Sequence, residues 1–383
     1  MNLRVPHPAL LSAHETRVCT GTTDAIMASP QQIKTPLTEA FGIKHPIMLA
    51  GMNVAAGPEL AAAVTNAGGI GIIGGVGYTP KVLRRQVEEL KEHLKDKNAP
   101  FGVDLLLPKV GGSARKTNTD YTNGQLPELI DIIIESGAKL FVSAVGVPPV
   151  EVVKKLHDAK ILVAGIIGHP KHAPKVIEAG VDMVIFQGGE GGGHTGDVPL
   201  SILAPRVVDL CRGHKSPLTG KPIITVAAGG IFNGRGLAAS LAYGADGVWV
   251  GTRFVASVES GAPKAHKEAV LKSTHETDIR TIIFTGRPLR VFKTPYIMDW
   301  ESRPDDIKKL TDKGTIPVYH DLDNDDEEGT KEAGARQRFL LGKCASVISD
   351  IKPAKEIVDE MVNEAVAVLR NGSQLLVGGG ARL

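Results

Sequence analysis

Cysteine is scarce in this chain of 383 residues. The three cysteines, Cys19, Cys211 and Cys344, are far apart and form no CxxC pair. A disulfide framework needs paired cysteines, and a cysteine metal site needs closely spaced ones. The sequence therefore argues against both and is typical of a protein from a reducing compartment.

Net charge and long apolar runs are also lacking. The 44 basic residues nearly balance the 42 acidic ones, and the formal charge of +2 argues against a surface that wraps nucleic acid. Glycine, proline or a charged residue interrupts every apolar stretch before it reaches the roughly 20 residues of a membrane span. We therefore expect a small-molecule partner rather than nucleic acid or a membrane.

The two ends of the chain carry little folding information. Residues 1–34 show no clear periodicity, and their apolar runs are too short for a secretory signal, so we interpret them as an N-terminal extension. The last three residues, Ala381, Arg382 and Leu383, follow the small, basic, leucine pattern of a peroxisomal address, with an arbitrary tail as the alternative. We expect a cytoplasmic or peroxisomal location.

Apolar and amphipathic segments alternate between about residues 46 and 250. Eight short runs rich in Val, Ile and Leu are typical of parallel strands buried on both faces: PIMLA, GIGIIG, FGVDLLL, KLFVSAV, ILVAGII, DMVIFQ, PIITVAA and DGVWVG. Four intervening helical patterns stop at a glycine that suits a left-handed cap: Gly68, Gly137, Gly180 and Gly244. Eight such units predict an α/β fold, a (β/α)8 TIM barrel, although an open doubly wound sheet shows the same alternation.

A small C-terminal lid domain, residues 256–345, is predicted to follow the barrel domain of residues 35–255. It contains the acidic run Asp321–Glu328, which we expect to be a solvated loop because a bare block of charge has no defined ligand geometry. Residues 346–383 then supply a tail and an amphipathic helix that ends at Gly372. We expect this helix to be the last outer helix of the barrel.

Glycine-rich segments follow several strands at the end where barrel enzymes carry their active site. AAGGIFNGRG follows the seventh strand and GTRF the eighth, so backbone N–H groups of neighbouring loops can meet one phosphate. Gly229, Gly230, Gly251 and Thr252 would form this site, with the Thr252 hydroxyl as a further donor. Tight turns without a ligand are the alternative.

Residues after the first and sixth strands favour a flat ring beside that phosphate. Ala50 and Gly51 are small enough to let a ring approach the backbone, and Met52 could cover it, although Met52 alone fits core packing better. Gln187 is polar where the core would prefer an apolar residue, and its amide needs hydrogen-bond partners. These features favour flavin mononucleotide (FMN) over a sugar phosphate.

Six segments together carry a family resemblance: PIMLAGM, AGGIGIIGG, GVDLLLPKVGGSARKTNTDYT, FQGGEGGGHTGD, AAGGIFNGRG and GVWVGTRF. Over residues 36–369 the sequence resembles the nitronate monooxygenases, most closely the fungal type. The resemblance implies a TIM barrel with a small lid, tightly bound FMN, no metal, and oxidation of alkyl nitronates by O₂ to a carbonyl compound and nitrite. It places the catalytic histidine at His194. It implies flavin contacts, beside the loop of Ala50 to Met52, at Asp104, Gln187, Gly192, Gly230, Gly251 and Thr252.

Two positions depart from the family pattern. Many relatives have Asn where this chain has Asp104, which places a carboxyl group near the flavin. The late segment LGKCASVISD lacks a Gly-Gln pair that is common in relatives. We therefore carry no cofactor contact over to residues 343–346.

His194 stands in a segment with six glycines among twelve residues, Phe186–Asp197. A neutral imidazole, with an ordinary pKa near 6.5, suits a general base for the α-proton of a nitroalkane, or it could orient a nitronate that is already ionised. We expect the glycines to leave open volume for substrate and O₂, and their N–H groups to bind the nitro oxygens. Lys109, Arg115 and Lys116 either attract an anionic nitronate or form a solvated basic loop.

Two other functions stay open at this point. An FMN-dependent NAD(P)H reductase of the enoyl-ACP or quinone type would share nearly all of the flavin residues. A flavin-binding protein without turnover would need the same cofactor site. No pattern in the sequence selects a particular nitronate or an oligomeric state.

Overall fold

The computed structural model describes residues 31–323 and 336–377. The strands are β1 (Ile47–Leu49), β2 (Gly71–Gly75), β3 (Phe101–Leu106), β4 (Leu140–Ala144), β5 (Leu162–Ile167), β6 (Met183–Gln187), β7 (Gly193–His194), β8 (Ile224–Ala228), β9 (Gly247–Val250), β10 (Asp278–Thr281) and β11 (Leu289–Phe292). The α-helices are α1 (Pro36–Phe41), α2 (Pro58–Asn66), α3 (Pro80–His93), α4 (Leu126–Ser136), α5 (Val150–Asp158), α6 (Ala173–Glu178), α7 (Leu200–Cys211), α8 (Gly234–Ala242), α9 (Thr252–Val255), α10 (Lys264–Leu271), α11 (Pro295–Glu301), α12 (Pro304–Lys313), α13 (Pro317–Asp323) and α14 (Ala354–Ser373).

Eight parallel strands form the barrel, in the order β1-β9-β8-β6-β5-β4-β3-β2. A parallel bridge between Met48 and Ile70 joins β1 to the residue before β2 and closes the sheet on itself. Each barrel strand falls on one of the eight apolar runs, and helices lie between them along the chain. The predicted (β/α)8 TIM barrel is therefore confirmed, and the open sheet is not formed.

Apolar side chains are buried on both sides of the barrel strands, as the uninterrupted apolar runs predict. One cluster takes alternate residues from the strands, such as Met48, Ile72, Val142 and Trp249, and lies inside the barrel. Helix α1 adds Leu37 to this interior cluster. Because α1 leads into β1, it closes the amino-terminal end of the barrel and leaves the carboxyl end for a site.

Glycines end several helices in the predicted way. Gly68, Gly137, Gly180 and Gly244 have φ of 101°, 73°, 90° and 94°, a region where a side chain would be strained. Each glycine turns the chain from a helix toward the next barrel strand. The glycine pattern is thus a sound guide to where each helix stops.

The last helix, α14, completes the outer ring. It packs against α8 and α2, so it lies beside helices from the two ends of the barrel repeat. A Cβ on Gly234 would lie 2.4 Å from the Met361 carbonyl oxygen, so only glycine allows α8 to approach α14 this closely. The helix ends at Ser373, one residue beyond the predicted Gly372.

A small antiparallel sheet, β10-β11-β7, lies beyond the barrel. The chain around β10 and β11 has its own apolar core, which includes Phe284, Val291 and Trp300. Strand β7, however, belongs to the glycine-rich segment after β6 and pairs His194 with Leu289. We call residues 275–323 the lid, and β7 links it to the barrel.

The acidic run is not simply a solvated loop. Asp321 lies in α13, and its carboxylate accepts hydrogen bonds from the Tyr296 hydroxyl and the Trp300 indole N–H, each at 2.8 Å. The prediction is therefore wrong for Asp321, because lid packing places two donors around it. Residues 324–328 of the run, residues 1–30 and the Ala-Arg-Leu tail lie outside the described residues.

None of the helices within residues 31–323 and 336–377 combines the length and the apolar composition of a bilayer span.

Candidate active site

Four backbone N–H groups stand free at the carboxyl ends of β8 and β9. Gly229 and Gly230 follow β8 with φ of 96° and 74°, and Gly251 and Thr252 follow β9. Their N–H groups donate to no atom within the described part of the chain. Free amides on two adjacent barrel loops fit a phosphate, the ligand that the sequence predicts there.

The Thr252 hydroxyl has a partner from a later segment. It accepts a hydrogen bond from the Gly342 N–H at 2.9 Å, and the Lys343 N–H donates to the Glu190 carbonyl at 2.9 Å. We call residues 340–347 the return segment, since it brings the chain back from the lid to the barrel rim. The sequence does not predict this contact of Gly342. Its segment, LGKCASVISD, carries no assigned cofactor contact.

Close contacts connect the residues predicted to hold a ring with those predicted to hold a phosphate. A Cβ on Gly51 would lie 2.4 Å from Oδ2 of Asp104. A Cβ on Gly251 would lie 3.4 Å from the Met52 sulfur and 3.5 Å from the Ala50 Cβ. The predicted residues of β1, β3 and β9 therefore form one continuous surface.

The carboxyl group of Asp104 is buried at this surface, and one of its oxygens has no hydrogen-bond partner among the described residues. The residue is 2% exposed, and its Oδ1 has no hydrogen-bond partner among the described residues. Burial raises the pKa of this carboxyl to about 8. Buried polar atoms are nearly always paired, so an unpaired oxygen beside bare backbone fits a flat ligand with polar ring atoms, as a flavin has.

Gln187 and Gly192 have roles within the chain itself. The Gln187 amide nitrogen donates to the His194 carbonyl at 2.8 Å and to the Gly192 carbonyl at 3.4 Å. The predicted ring contact can thus involve only the amide oxygen of Gln187. A Cβ on Gly192 would lie 2.6 Å from the Leu341 carbonyl carbon, so the approach of the return segment by itself requires glycine at this position.

Most glycines around His194 are packed closely against other backbone segments of the same chain. A Cβ on Gly196 would lie 2.2 Å from the Gly168 carbonyl oxygen. The N–H groups of Gly188, Gly189 and Gly191 already donate to backbone carbonyls. Our expectations that the glycines leave open volume and that their N–H groups bind nitro oxygens are therefore wrong for these residues, because the loop is tightly packed.

His194 is partly buried and lies in a cationic environment. Its Nε2 is 3.1 Å from the Thr285 hydroxyl of the lid. Burial lowers the pKa of His194 to about 4, and the charges of Arg287 and Arg338 lower it further in the same direction. The imidazole is therefore neutral at neutral pH, as expected, but it is a weaker base than an ordinary histidine.

Arg287 is the partly buried cation of this environment. Its Nε donates to the Asn118 side-chain oxygen at 3.0 Å, and its NH1 to the Val145 carbonyl at 3.3 Å. Val145, at the end of β4, has φ of 69°, a strained value for a β-branched residue. The strained turn points a carbonyl at the guanidinium, whose pKa is lowered by burial and by Arg115.

Two of the three basic residues after β3 bind the lid. Arg115 donates to the Gly286 carbonyl at 3.1 Å, and Lys116 to the Asp312 carbonyl at 2.9 Å. Lys109 remains exposed. Arg115 and Lys116 therefore join the β3 loop to the lid, a role that neither of the predicted alternatives included.

Thr285, Arg287 and Arg338 are site residues that the sequence interpretation missed. Thr285 and Arg287 lie in TGRPLRVF, which we noted only as a part of the lid. The local signal for these residues is that Thr285 and Arg287 flank Gly286 just before β11. Nothing local in the sequence places them near a histidine 91 residues away.

Metal ligands do not gather within residues 31–323 and 336–377. No group of three or more His, Cys, Asp or Glu side chains there could hold a metal ion. Cys211 and Cys344 are free and buried, and burial raises the pKa of each thiol to about 12.

Known proteins share this architecture and its sequence. The nitronate monooxygenase family model matches residues 34–364. A Staphylococcus saprophyticus protein named "Probable nitronate monooxygenase" is 32% identical, over 88% of this chain and 99% of its own. The Mycobacterium tuberculosis "(3aS,4S,5R,7aS)-5-hydroxy-7a-methyl-1-oxo-octahydro-1H-indene-4-carboxyl-CoA dehydrogenase" is also 32% identical, over 90% of this chain and 99% of its own.

A solved structure shows the same fold. The nitroalkane oxidase from Streptomyces ansochromogenes superposes with a TM-score of 0.72 at 26% identity, covering 88% of this chain and 99% of that one. The family match spans the barrel, the lid and most of α14, which are the elements that form the rim. The chain therefore belongs to the nitronate monooxygenase family of flavin-dependent oxidoreductases.

Proposed function

We propose that this protein oxidises alkyl nitronates with molecular oxygen to a carbonyl compound and nitrite, using FMN. The observation that carries the proposal is the neutral, partly buried His194, which contacts a lid hydroxyl and is affected by the charges of two arginines. The neutral imidazole can hydrogen-bond to a small anionic substrate, and the nearby positive charge attracts that anion. The names of the Staphylococcus and Streptomyces proteins agree with this chemistry.

FMN is the flavin that the rim supports best. The free N–H groups of Gly229, Gly230, Gly251 and Thr252 suit a single phosphate, and the surface of Asp104, Gly51 and Met52 suits a ring. These residues would hold the flavin, which would supply the electron transfer between the substrate and oxygen. The chain supplies binding, orientation and charge.

His194 acts mainly on substrate that is already ionised. With a pKa of about 4, its neutral imidazole has a weak tendency to remove a proton from carbon, since proton transfer follows the strength of the base. A bound nitronate anion would favour the protonated imidazole and so strengthen a hydrogen bond to the nitro group. We therefore expect nitronates to react faster than neutral nitroalkanes, for which His194 is the general base.

Arg287 and Arg338 provide the attraction for an anion. Arg287 contacts an amide oxygen and a carbonyl oxygen, and the Arg338 guanidinium lies 5.9 Å from the centre of the Phe284 ring. Neither contact neutralises the positive charge. Arg287 is partly buried and forms no ion pair with a carboxylate of the described residues, and the exposed Arg338 adds a second positive charge. Such charge raises the local concentration of a nitronate relative to its neutral acid.

A flavin-dependent dehydrogenase or reductase is the second candidate. The relative named as a carboxyl-CoA dehydrogenase is as similar in sequence, at 32%, as the one named for nitronate oxidation. Such an enzyme would exchange electrons with NAD(P)H or an acyl-CoA and would not release nitrite. The two candidates share the cofactor site and differ in the substrate.

Anaerobic mixing separates the candidates. The yellow protein is mixed with propyl-2-nitronate in one experiment and with NADPH in another, and flavin absorbance is followed. We expect nitronate to bleach the flavin, nitrite to appear once air is admitted, and NADPH to have no effect. Bleaching by NADPH without nitrite from the nitronate would support the reductase instead, and no response to either compound would indicate a flavin-binding protein without turnover.

The His194→Asn variant tests the histidine. Asparagine preserves a hydrogen-bond donor but cannot accept a proton from carbon at neutral pH. We expect the rate on neutral nitroalkanes to fall by about 10²- to 10⁴-fold, the usual contribution of a general base, and the rate on nitronates to fall much less. Equal losses on both substrates would overturn the base assignment.

A further inference from the structure

Asp104 lies within β3 with its carboxyl group against the loop after β1. It pairs with Gly74 of β2 and Val142 of β4, so its position is set by two neighbouring strands. A Cβ on Gly51 would lie 2.4 Å from its Oδ2 and 2.9 Å from its Cγ. The carboxyl group therefore meets bare backbone at the surface that fits the cofactor ring.

The charge of this carboxyl is not balanced by any described cation. Burial alone raises the pKa of Asp104 to about 8. The titratable group that faces it is Tyr78, from the loop after β2. Burial raises the pKa of Tyr78 to about 12, against the effect of its hydrogen bond to the Gly74 backbone. Both groups are therefore neutral at neutral pH, and Oδ1 of Asp104 has no partner in the described chain.

We propose that Asp104 binds the flavin as a neutral carboxylic acid that donates its proton to an acceptor atom of the ring. This inference rests on the proposed FMN site. A protonated carboxyl has one O–H donor and acceptor capacity besides, the same pair of functions that a carboxamide presents. Asp104 would thus present the donor and acceptor of an amide side chain, but only while it keeps its proton.

The affinity for FMN should then fall as the pH rises. The protonated form binds the ring, so binding is complete below the pKa of Asp104 and is lost as pH rises through it. Above that pKa the dissociation constant rises by up to about tenfold for each pH unit. We expect at least about a tenfold rise between pH 7 and pH 9.5.

Flavin release measures this dependence without catalysis. Full-length holoprotein is diluted at each pH from 6 to 9.5, and the fluorescence of released FMN gives the dissociation constant. Asp104→Asn should bind FMN with a dissociation constant that is nearly independent of pH, because an amide keeps its donor. The matched control is Asp246→Asn, since Asp246 is a partly buried carboxyl that precedes β9 and accepts a hydrogen bond from the Thr225 N–H at 2.8 Å.

Each outcome decides the inference. The inference is supported if the FMN dissociation constant rises equally with pH in the wild type and Asp246→Asn but stays constant in Asp104→Asn. Parallel profiles for wild type and Asp104→Asn would overturn it while leaving FMN as the cofactor. A wild-type protein that binds no FMN at any pH would overturn the proposed function as well.

An infrared measurement on the wild-type holoprotein covers the case in which Asp104→Asn fails to fold. The carbonyl stretch of a protonated carboxyl should be present at pH 7. It should lose intensity at pH 9.5 as FMN is released. If no such band is present at pH 7, Asp104 is ionised and the inference is wrong.

Discussion

The low pKa of His194 gives the sharpest test of the proposed mechanism. The pH dependence of kcat/KM reports the ionisation of the free enzyme. A histidine with the ordinary pKa of 6.5 would be about 9% neutral at pH 5.5 and about 91% neutral at pH 7.5, a tenfold difference. With a pKa of about 4, His194 is almost fully neutral at both values.

The size of the pKa shift follows from the environment of the His194 imidazole. A fall from 6.5 to about 4 corresponds to about 3 kcal/mol in favour of the neutral imidazole. Burial is its main cause, and Arg287 and Arg338 add to it. We therefore expect kcat/KM for a freshly dissolved neutral nitroalkane to change by less than about 1.5-fold between pH 5.5 and 7.5.

The assay is the initial rate of nitrite release at several substrate concentrations. Flavin absorbance is recorded at each pH, so that loss of cofactor is not mistaken for loss of activity. His194→Asn is measured in parallel. A tenfold fall toward pH 5.5 in the wild type that is absent from His194→Asn would refute the reasoning, because it would show that His194 titrates like an exposed histidine.

Three further predictions concern packing around the site. Gly192→Ala should lower the free energy of unfolding by about 1–3 kcal/mol, because its Cβ would strike the return segment; thermal unfolding should show no such loss for Gly372→Ala, where nothing lies within 4 Å. Thr285→Val removes the hydroxyl that contacts His194 and should lower kcat/KM on nitronate by about 2- to 10-fold, and unchanged kinetics would mean that this contact is not used. Arg290→Met breaks a buried ion pair and should destabilise the protein by about 3–5 kcal/mol, so an unchanged melting temperature would contradict that value.

The barrel could be predicted because its information is local. A strand buried on both faces needs a continuous apolar run, and a helix that must turn sharply into the next strand needs a glycine after its last turn. Both requirements act within a few residues, as at Ser136, Gly137 and Leu140. The same holds for the turn after β8, where Gly229 and Gly230 adopt positive φ.

The surroundings of His194 could not be predicted in the same way. Its segment has the composition of a loop, but Gly193 and His194 form a strand because β11 offers backbone partners to them. Gln187 reads as a ligand for a ring, although its amide nitrogen binds loop carbonyls. Pairing of this kind depends on residues far away in the chain.

The sequence by itself determined the eight-stranded barrel, the glycine turns at its rim and the position of the histidine. Only the tertiary structure decided which groups surround that histidine and how strong a base it is. The physical reason is that helix caps and strand burial are set by neighbours in sequence, whereas desolvation and charge act through space. The lid brings Thr285 to His194, and burial, together with the charges of Arg287 and Arg338, makes an ordinary imidazole a weakly basic one.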